Sequence, residues 1–141
     1  MARVAMEIDS VRHCQFNEEW AVILKNKLLG LYLPIYVGEV QAEIIKGELL
    51  QDFRYPLPEN YDLSSIGLDA TKNDLISITI DRFENNIFYA KLLFSHDDRF
   101  HEIDFPPARA IALGLRQGAP IFVLDEILYK AAIRVNEINC I

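Results

Sequence analysis

The sequence predicts an α+β fold in which two three-stranded meanders form a mixed, largely antiparallel sheet with helices packed against it. Two groups of three strand-like segments occur, one in each half of the chain, and helix-like segments follow each group. Runs of strands followed by helices are typical of α+β proteins. Hydrophobic residues make up 51% of the 141 residues, enough to build a core without disulfides or metals.

The first half of the chain contains three strand-like segments. Val4–Val11 alternates apolar and polar residues with the period of a half-buried strand, and Trp20–Leu24 is an unbroken apolar run. Leu31–Val37 follows with more β-favouring residues. Because Pro34 has no N–H, we expect this third strand to lie at a sheet edge or to carry a bulge. Three successive strands predict the first meander.

A helix is predicted next, over Glu39–Gln51. Its apolar residues at positions i, i+3 and i+7 share one face, and they are Ala42, Ile45 and Leu49. Gly47 lies inside this segment and costs about 1 kcal/mol relative to alanine, so we expect a marginal helix that ends early. Pro56 and Pro58 then predict an irregular stretch, and a weaker helical stripe follows over Leu63–Ala70.

The second half of the chain predicts another meander. Its strands are Leu75–Asp81, Ile87–Phe94 and Arg99–Phe105, and Glu84–Asn86 and Ser95–Asp98 are the turns between them. Alternation in the first of these strands places three isoleucines on one face: Ile76, Ile78 and Ile80.

A second helix is predicted to start at Pro107. Proline at the first helical position loses no hydrogen bond, because the first N–H groups of a helix have no partner inside it. Apolar residues recur at i, i+3, i+4 and i+7, and they are Ala108, Ile111, Ala112 and Leu115. We expect the last three to be buried against the sheet. Gly118 supplies a left-handed C-terminal cap, and Pro120 prevents continuation of the helix.

The end of the chain predicts one more strand and one more helix. Pro120–Val123 is a short buried strand, and Asp125 is expected to cap a helix that extends through Ile133. No linker, low-complexity segment or repeat divides the chain. We therefore predict a single domain over residues 1–133, with residues 134–141 as a C-terminal tail.

The charge balance argues against a nucleic-acid scaffold. The chain has 14 Lys and Arg residues against 21 Asp and Glu residues, a net charge of -7. Nucleic-acid binders usually carry a basic excess, because Lys and Arg replace the counterions condensed on phosphates. Nucleic acid is therefore expected to bind weakly, with an affinity that falls as salt rises.

The sequence favours the cytoplasm over a membrane or a secreted location. Cys14 and Cys140 lie far apart and outside any CxxC motif, so free thiols are expected rather than a disulfide or a zinc site. The start of the chain has no apolar stretch typical of a signal peptide. The uncharged stretch Leu28–Gly38 is much shorter than the roughly 20 residues that a membrane helix needs.

The stretch His96–Asp104 concentrates carboxylates and imidazoles in one predicted hairpin. Such groups could hold Mg²⁺ or Mn²⁺, which prefer oxygen ligands and can activate water. The alternative is structural, because adjacent aspartates favour a turn and Glu102 and Asp104 alternate with an apolar residue, as on a solvated strand face. Glu7 and Asp9 also share a strand face, and would add carboxylates if their strand lay beside this one. The motifs GxGxxG, GxxxxGK(S/T), HExxH and GxSxG are absent from the sequence.

Five blocks of residues form an ordered and fairly specific series. They are Leu33–Gly38, Gln41–Ala42, Asn86–Leu92, Ala110–Arg116 and Ala119–Val123. In this order and spacing the chain resembles the bifunctional nuclease domain family of bacteria and plants, from about Met6 to Ile133. The resemblance implies an α+β fold and cleavage of both DNA and RNA.

Polar positions depart from the pattern of that family. Before the second helix the family typically carries Asp, a small residue and then Arg-Pro-Ser-Asp, whereas here Asp104–Arg109 reads DFPPAR. Only Asp104 and Pro107 match. The family also has a Pro-Leu-Thr-His-Asp-Leu stretch after its first helix. In this chain Pro56–Leu57 matches its first two residues, but the Thr and His that should follow are absent. This pattern is expected where the fold persists and the chemistry of those residues does not.

The resemblance implies a metal-assisted phosphodiesterase, with Asp104, Glu102 and Arg116 as the candidate catalytic residues. Asp104 and Glu102 would hold Mg²⁺ or Mn²⁺, and Arg116 would steady a phosphate. In a structural interpretation, Arg116 instead meets the negative end of its helix dipole. The alternative function is a non-catalytic domain that binds a protein or a small ligand and self-associates. A homodimer is expected because the uncharged segment Tyr32–Val37 leaves apolar surface near a sheet edge.

Overall fold

The structure, a computed structural model, describes residues 2–50 and 73–134. In these ranges the elements are β1 (Arg3–Cys14), β2 (Glu19–Asn26), β3 (Leu31–Val37), α1 (Glu39–Leu49), β4 (Asn73–Glu84), β5 (Ile87–His96), β6 (Arg99–Phe105), α2 (Pro107–Gln117), β7 (Ile121–Leu124), α3 (Asp125–Ala131) and β8 (Ile133–Arg134). Three predicted features lie outside the described residues. They are the helical stripe over Leu63–Ala70, the proline stretch before it and residues 135–141 of the predicted tail. None of these three helices is long and apolar enough to cross a membrane.

The strands form one mixed sheet in the order β6-β5-β4-β7-β1-β2-β3-β8. The two predicted meanders are confirmed, since β1, β2 and β3 pair antiparallel, as do β4, β5 and β6. The short strand β7 joins them, because it runs parallel to β4 and antiparallel to β1. The predicted α+β class is therefore confirmed.

A bulge in β4 corrects one predicted strand face. The register between β4 and β5 shifts between Leu75 and Ser77, so Ile76 is an extra residue on β4. A bulge reverses the alternation of side chains, because two residues on one strand then oppose one on the other. Leu75 is consequently buried with Ile78 and Ile80, whereas Ile76 is only half-buried. The prediction that Ile76 shares the face of the other two isoleucines is wrong.

The core lies between the sheet and the helices α1 and α2, which lie side by side. α2 packs on β4 and β5, and α1 packs on β2. The fully buried side chains of this core include Val22, Leu24, Leu33, Ile45, Ile78, Ile80, Leu92, Ile111 and Val123. The predicted ends of α2 are confirmed, and its cap Gly118 has a φ of 70°. Ile111 and Ala112 are buried as predicted, while Leu115 is half-buried.

α2 lies unusually close to β4 at Gly114. A Cβ atom added to Gly114 would lie 2.3 Å from Ile78 Cδ1, well inside van der Waals contact. Both residues are buried, so the space cannot be found by moving a side chain into solvent. The absence of a side chain at Gly114 therefore sets the distance between α2 and the sheet.

The buried face of α1 differs from the predicted stripe. Ala42 and Ile45 are buried as predicted, but Leu49 is 37% exposed and Glu48 is buried in its place. The reason is that α1 packs against α2 as well as against the sheet, which turns Glu48 toward the second helix. α1 ends at Leu49, two residues before the predicted end.

The last helix and strand correct two details. Leu124, not Asp125, is the N-cap of α3. The helix ends at Ala131 because Ile133 belongs to β8 and pairs with Tyr32 of β3. β8 covers only the first two residues of β3. Pro34 therefore lies, among the described residues, in a part of β3 that has no neighbour on that side, as its missing N–H predicted.

Candidate functional site

A cavity of about 280 Å³ lies where the two long helices begin. α1 starts directly after β3 with Gly38 as its N-cap, and α2 starts directly after β6 with Pro106 as its N-cap. The turn between β4 and β5 closes the third side. We call this space the two-helix cavity, and its lining residues are Ile35, Tyr36, Val37, Gln41, Asn86, Ile87, Phe88, Pro106, Pro107 and Ala108.

Gln41 brings unused hydrogen-bond donors to this cavity. Its Oε1 accepts a 2.8 Å hydrogen bond from the backbone N–H of Gly38, which ties down the first turn of α1. This bond also fixes which end of the amide is oxygen. The two N–H groups on Nε2 have no partner among residues 2–50 and 73–134, so they remain available to a ligand.

Asn86 brings a second side-chain amide. Asn85 and Asn86 form the turn of the β4–β5 hairpin, with φ values of 53° and 62°. Two successive residues at positive φ are typical of a type I′ turn, which asparagine tolerates. Only Asn86 lines the two-helix cavity. Its exposed side chain has no hydrogen bond within the described part of the chain, so it offers both a donor and an acceptor.

Two further cavities adjoin the first and share Phe88 with it. One, of about 320 Å³, is also lined by Asp104 and Tyr89, and the other, of about 370 Å³, is also lined by Lys130. Phe88 packs on Phe83 with 4.4 Å between the ring centroids, which holds its ring in place. The three cavities form a largely apolar surface at this end of the molecule, and the charged side chains that the structure describes in their lining are Asp104 and Lys130.

The structure brings two of the three predicted site residues together. Glu102 and Asp104 lie on the same face of β6, opposite Leu93 and Lys91 of β5. This is the face of the sheet that the helices α1 and α2 do not cover. Glu102 also lines a small cavity of about 140 Å³ with Arg3, Thr79, Asp81, Lys91 and Leu93.

The rest of the predicted acidic hairpin does not converge on these two carboxylates. His101 lies on the opposite face of β6, where its ring stacks on Phe94 with 5.4 Å between the centroids. His96 Nε2 lies 3.2 Å from Asp97 Oδ2 in the turn. Glu7 and Asp9 are also distant in the sheet, because β7, β4 and β5 lie between β1 and β6.

Arg116, the third predicted residue, lies in the helix layer on the other side of the sheet. Its Nε donates hydrogen bonds to Glu48 Oε1 and Oε2, at 3.0 and 2.9 Å. The side chain of Glu48 is 3% exposed and that of Arg116 is 37% exposed. The structure thus pairs Arg116 with a buried carboxylate of α1 and does not bring it to Asp104 or Glu102. No sequence signal identified Glu48, since it occupies an ordinary position in an amphipathic helix.

Comparison with known proteins identifies the family. A family model described as the bifunctional nuclease domain matches residues 22–136. The chain belongs to the bifunctional nuclease domain family. Among similar proteins are two from Mycobacterium tuberculosis, named uncharacterized protein MT1877 and uncharacterized protein Rv1829. Each is 32% identical over 132 residues, which cover 94% of this chain and 78% of the relative.

Three of the five sequence blocks that carry the resemblance to the bifunctional nuclease domain family meet at the two-helix cavity. Leu33–Gly38 contributes three lining residues, Gln41–Ala42 contributes one and Asn86–Leu92 contributes three. The remaining lining residues, Pro106, Pro107 and Ala108, lie in the stretch that departs from the family pattern. This family member therefore combines segments that match the family pattern with a segment that departs from it around one space, and none of the ten described lining side chains is charged.

The described residues of this bifunctional nuclease domain do not present a cluster of metal ligands. Within residues 2–50 and 73–134, no group of three or more His, Cys, Asp or Glu side chains is placed to hold a metal ion. Asp104 lies opposite Lys91, and the Nζ atom of Lys91 is 3.4 Å from Asp81 Oδ2. Lys91 is therefore a sheet neighbour of Asp104, but it forms its ion pair with Asp81 on the opposite neighbouring strand, β4.

Proposed function

We propose that this chain binds nucleic acid weakly at the two-helix cavity and hydrolyses phosphodiester bonds little or not at all. One observation carries the proposal: three sequence blocks typical of a nuclease family converge on a cavity whose described lining side chains are all uncharged. Membership of the family supplies the substrate class, which is nucleic acid. The uncharged lining explains why nucleic acid would be bound but its phosphodiester bonds hydrolysed little.

The start of two helices at one cavity favours the approach of a phosphate. The first N–H groups of a helix have no partner inside it, and the helix dipole makes that end attractive to anions. α2 carries no acidic residue in its first turn and includes Arg109 there, whereas α1 carries Glu39. Lys130 lines the adjoining cavity. With a net charge of -7, the chain should bind nucleic acid only weakly, and less at high salt.

Low hydrolytic activity follows from the groups that line this cavity. Phosphodiester hydrolysis needs a base or a metal ion to activate water and a positive group to stabilise the transition state. Pro106 and Ala108 stand where the family pattern has Arg and Ser, and neither can do this. Asp104 lines the adjoining cavity and brings a carboxylate to its margin. If the chain cleaves nucleic acid, Asp104 is therefore the residue that hydrolysis requires.

The proposal is tested with the full chain and labelled single-stranded DNA and RNA. Binding is followed by fluorescence anisotropy at two salt concentrations, and cleavage is followed on gels with Mg²⁺, Mn²⁺ or EDTA. We expect salt-sensitive binding and no cleavage above background. Robust, EDTA-sensitive cleavage that disappears in Asp104→Asn but persists in Asp98→Asn, an exposed turn aspartate, would overturn the proposed lack of hydrolysis. Absence of binding at low salt would overturn the nucleic-acid part.

A second candidate function is self-association as a non-catalytic domain, in the form of a homodimer. It is favoured by three large apolar side chains around the two-helix cavity that remain well exposed: Tyr36 at 52%, Val40 at 73% and Ile87 at 54%. Such side chains, grouped near one cavity, are typical of interaction surfaces.

Light scattering at micromolar concentration tests this candidate. The double variant Val40→Glu, Ile87→Glu should convert a dimer to a monomer, because it places charge in the apolar surface. Leu28→Glu is the matched control, since Leu28 is 98% exposed in the turn between β2 and β3. A wild-type mass of one chain would end the candidate.

A further inference from the structure

We infer that the two-helix cavity binds one unstacked nucleobase of a single-stranded nucleic acid. The inference rests on the proposed function and deepens it, because it names the part of the nucleic acid that enters the cavity. It is carried by the apolar walls of the cavity, by amide groups of Gln41 and Asn86 that have no partner within residues 2–50 and 73–134, and by the absence of charge from its ten described lining side chains.

The walls of the cavity suit a flat, weakly polar ring. Ile35, Val37 and Phe88 supply apolar surface from the sheet, and Pro107 and Ala108 supply it from the start of α2. A phosphate or a sugar would lose its hydration against such walls, which costs several kcal/mol without new hydrogen bonds. A nucleobase loses little, since its π-face stacks on aromatic and apolar side chains.

The two amides match the edge of a base. Gln41 offers the donors of Nε2 only, because its Oε1 already accepts from Gly38 at 2.8 Å. Asn86 offers a donor and an acceptor, since its amide has no partner among the residues that the structure describes. Asparagine and glutamine amides read the mixed donors and acceptors on base edges, as in their bidentate pairing with adenine. A hydrocarbon ligand would leave both amides unsatisfied, and an ionic ligand would find no counter-charge in the lining.

A single-stranded nucleic acid is the appropriate source of the base. Bases in a duplex are stacked and paired, and a protein can reach them only after extrusion from the stack, which costs a few kcal/mol. Sequence-dependent recognition of single strands instead uses bases that are already splayed out. The sugar and phosphates of such a strand would stay at the mouth of the cavity, near the helix starts.

The test compares two oligonucleotides of equal length and charge. One is a labelled deoxyadenosine oligomer, and the other carries abasic sites in place of the bases. Anisotropy should show about tenfold tighter binding of the oligomer with bases, since one stacked base contributes about that factor or more. In parallel, ¹H–¹⁵N spectra should show adenosine 5′-monophosphate shifting the side-chain signals of Gln41 and Asn86, while ribose 5-phosphate leaves them unchanged.

Two variants remove the amide donors without disturbing the backbone. Asn86→Gly keeps the left-handed turn, and Gln41→Glu keeps the oxygen that accepts from Gly38. Each should reduce the preference for bases over abasic sites by about two- to tenfold, the effect of one hydrogen bond. Asn85→Gly is the matched control, because Asn85 has the same left-handed backbone, with a φ of 53°, but does not line the cavity. It should leave the preference unchanged.

The possible outcomes separate this inference from the proposed function. Equal binding of both oligonucleotides would overturn the base site and leave nucleic-acid binding intact. If neither oligonucleotide binds, the proposed function fails, and the spectra still decide whether the free nucleotide enters the cavity. If the Gln41 and Asn86 signals move with protein concentration and not with the nucleotide, a second copy of the chain occupies the cavity and the inference is wrong.

Discussion

Arg116 in α2 donates hydrogen bonds from Nε to both carboxylate oxygens of Glu48 in α1, at distances of 3.0 and 2.9 Å. Its Nη2 also donates to Glu48 Oε1. The two residues are 68 positions apart in sequence, and the carboxylate is buried where the helices pack. A forked guanidinium matches a carboxylate in this way with both charge and shape. The pair therefore fixes how the two helices meet.

The first prediction concerns this pair. Arg116→Met should lower the free energy of unfolding by about 2–4 kcal/mol, because it leaves a buried carboxylate without its partner. Glu48→Gln should cost less, since a neutral amide can still accept from Arg116. Urea unfolding at neutral pH measures both. Arg82→Met is the control: the Arg82–Glu84 pair is exposed, with its atoms 4.0 Å apart, and its loss should cost less than about 1 kcal/mol. Equal losses at both sites would contradict the structural role of Arg116.

The second prediction concerns the core under α2. Ile111 is fully buried, so Ile111→Ala should destabilise the chain by about 2–5 kcal/mol and lower Tm by roughly 5–20 °C. Calorimetry measures the change. Leu28→Ala in the turn between β2 and β3 shortens a side chain that is 98% exposed and should leave Tm nearly unchanged. An unchanged melting curve for Ile111→Ala would show that the placement of α2 is wrong.

The third prediction tests the close approach of α2 to β4. Gly114→Ala should destabilise the chain by about 1–3 kcal/mol from overpacking, although alanine by itself favours a helix by about 1 kcal/mol. Ile78→Val removes the Cδ1 atom that the new methyl group would meet at 2.3 Å. The double variant should therefore lose less free energy of unfolding than the sum of the losses in the two single variants. Strict additivity in a double-mutant cycle would disprove the contact.

The fourth prediction concerns pH and Asp9, a bulge residue of β1. Burial acts to raise the pKa of the Asp9 carboxyl, but the hydrogen bond from Ser10 and the positive charges of Lys25 and Arg12 outweigh it. The result is a pKa below the ordinary value. Ser10 Oγ lies 2.8 Å from Asp9 Oδ2, and Lys25 Nζ lies 3.3 Å from Asp9 Oδ1.

A carboxyl group whose pKa is lower in the folded state stabilises the fold when it is ionised. This contribution is present above the ordinary pKa of aspartate, about 3.9, and is lost as pH falls through the folded value. Asp9→Asn should therefore reduce stability at pH 7, and the difference from wild type should shrink below about pH 4. Denaturant unfolding from pH 7 to pH 3 measures it. A difference independent of pH would mean that the Asp9 charge contributes nothing.

Elements bounded by strong local signals could be predicted from the sequence. The ends of α2 agree with prediction because Pro107 starts it and Gly118, with a φ of 70°, ends it. The two meanders could be predicted because each consists of strands that follow one another along the chain. The missing N–H of Pro34 predicted a position without a ladder partner on one side, which the described residues show, although the outermost strand is β8 and not β3.

Features set by partners distant in sequence could not be predicted. The bulge at Ile76 depends on the register between two strands, which alternation within one strand does not reveal. The buried position of Glu48 depends on Arg116, and the cavity itself depends on three segments that meet only in the folded chain. Asp104 and Glu102 could be placed on one strand face from their spacing, but their separation from Arg116 by the sheet required the topology.

The four residues of β7 also determine when this protein can finish folding. Ile121 pairs with Met6 on one side and with Ile78 on the other, so one late segment joins both meanders. During synthesis, each meander can form as soon as its own strands leave the ribosome, yet the edges of β1 and β4 then remain open. Open strand edges are sites of mispairing and aggregation. A short segment synthesised after both meanders thus decides whether two half-sheets become one sheet, and its delay sets the interval during which the nascent chain needs protection.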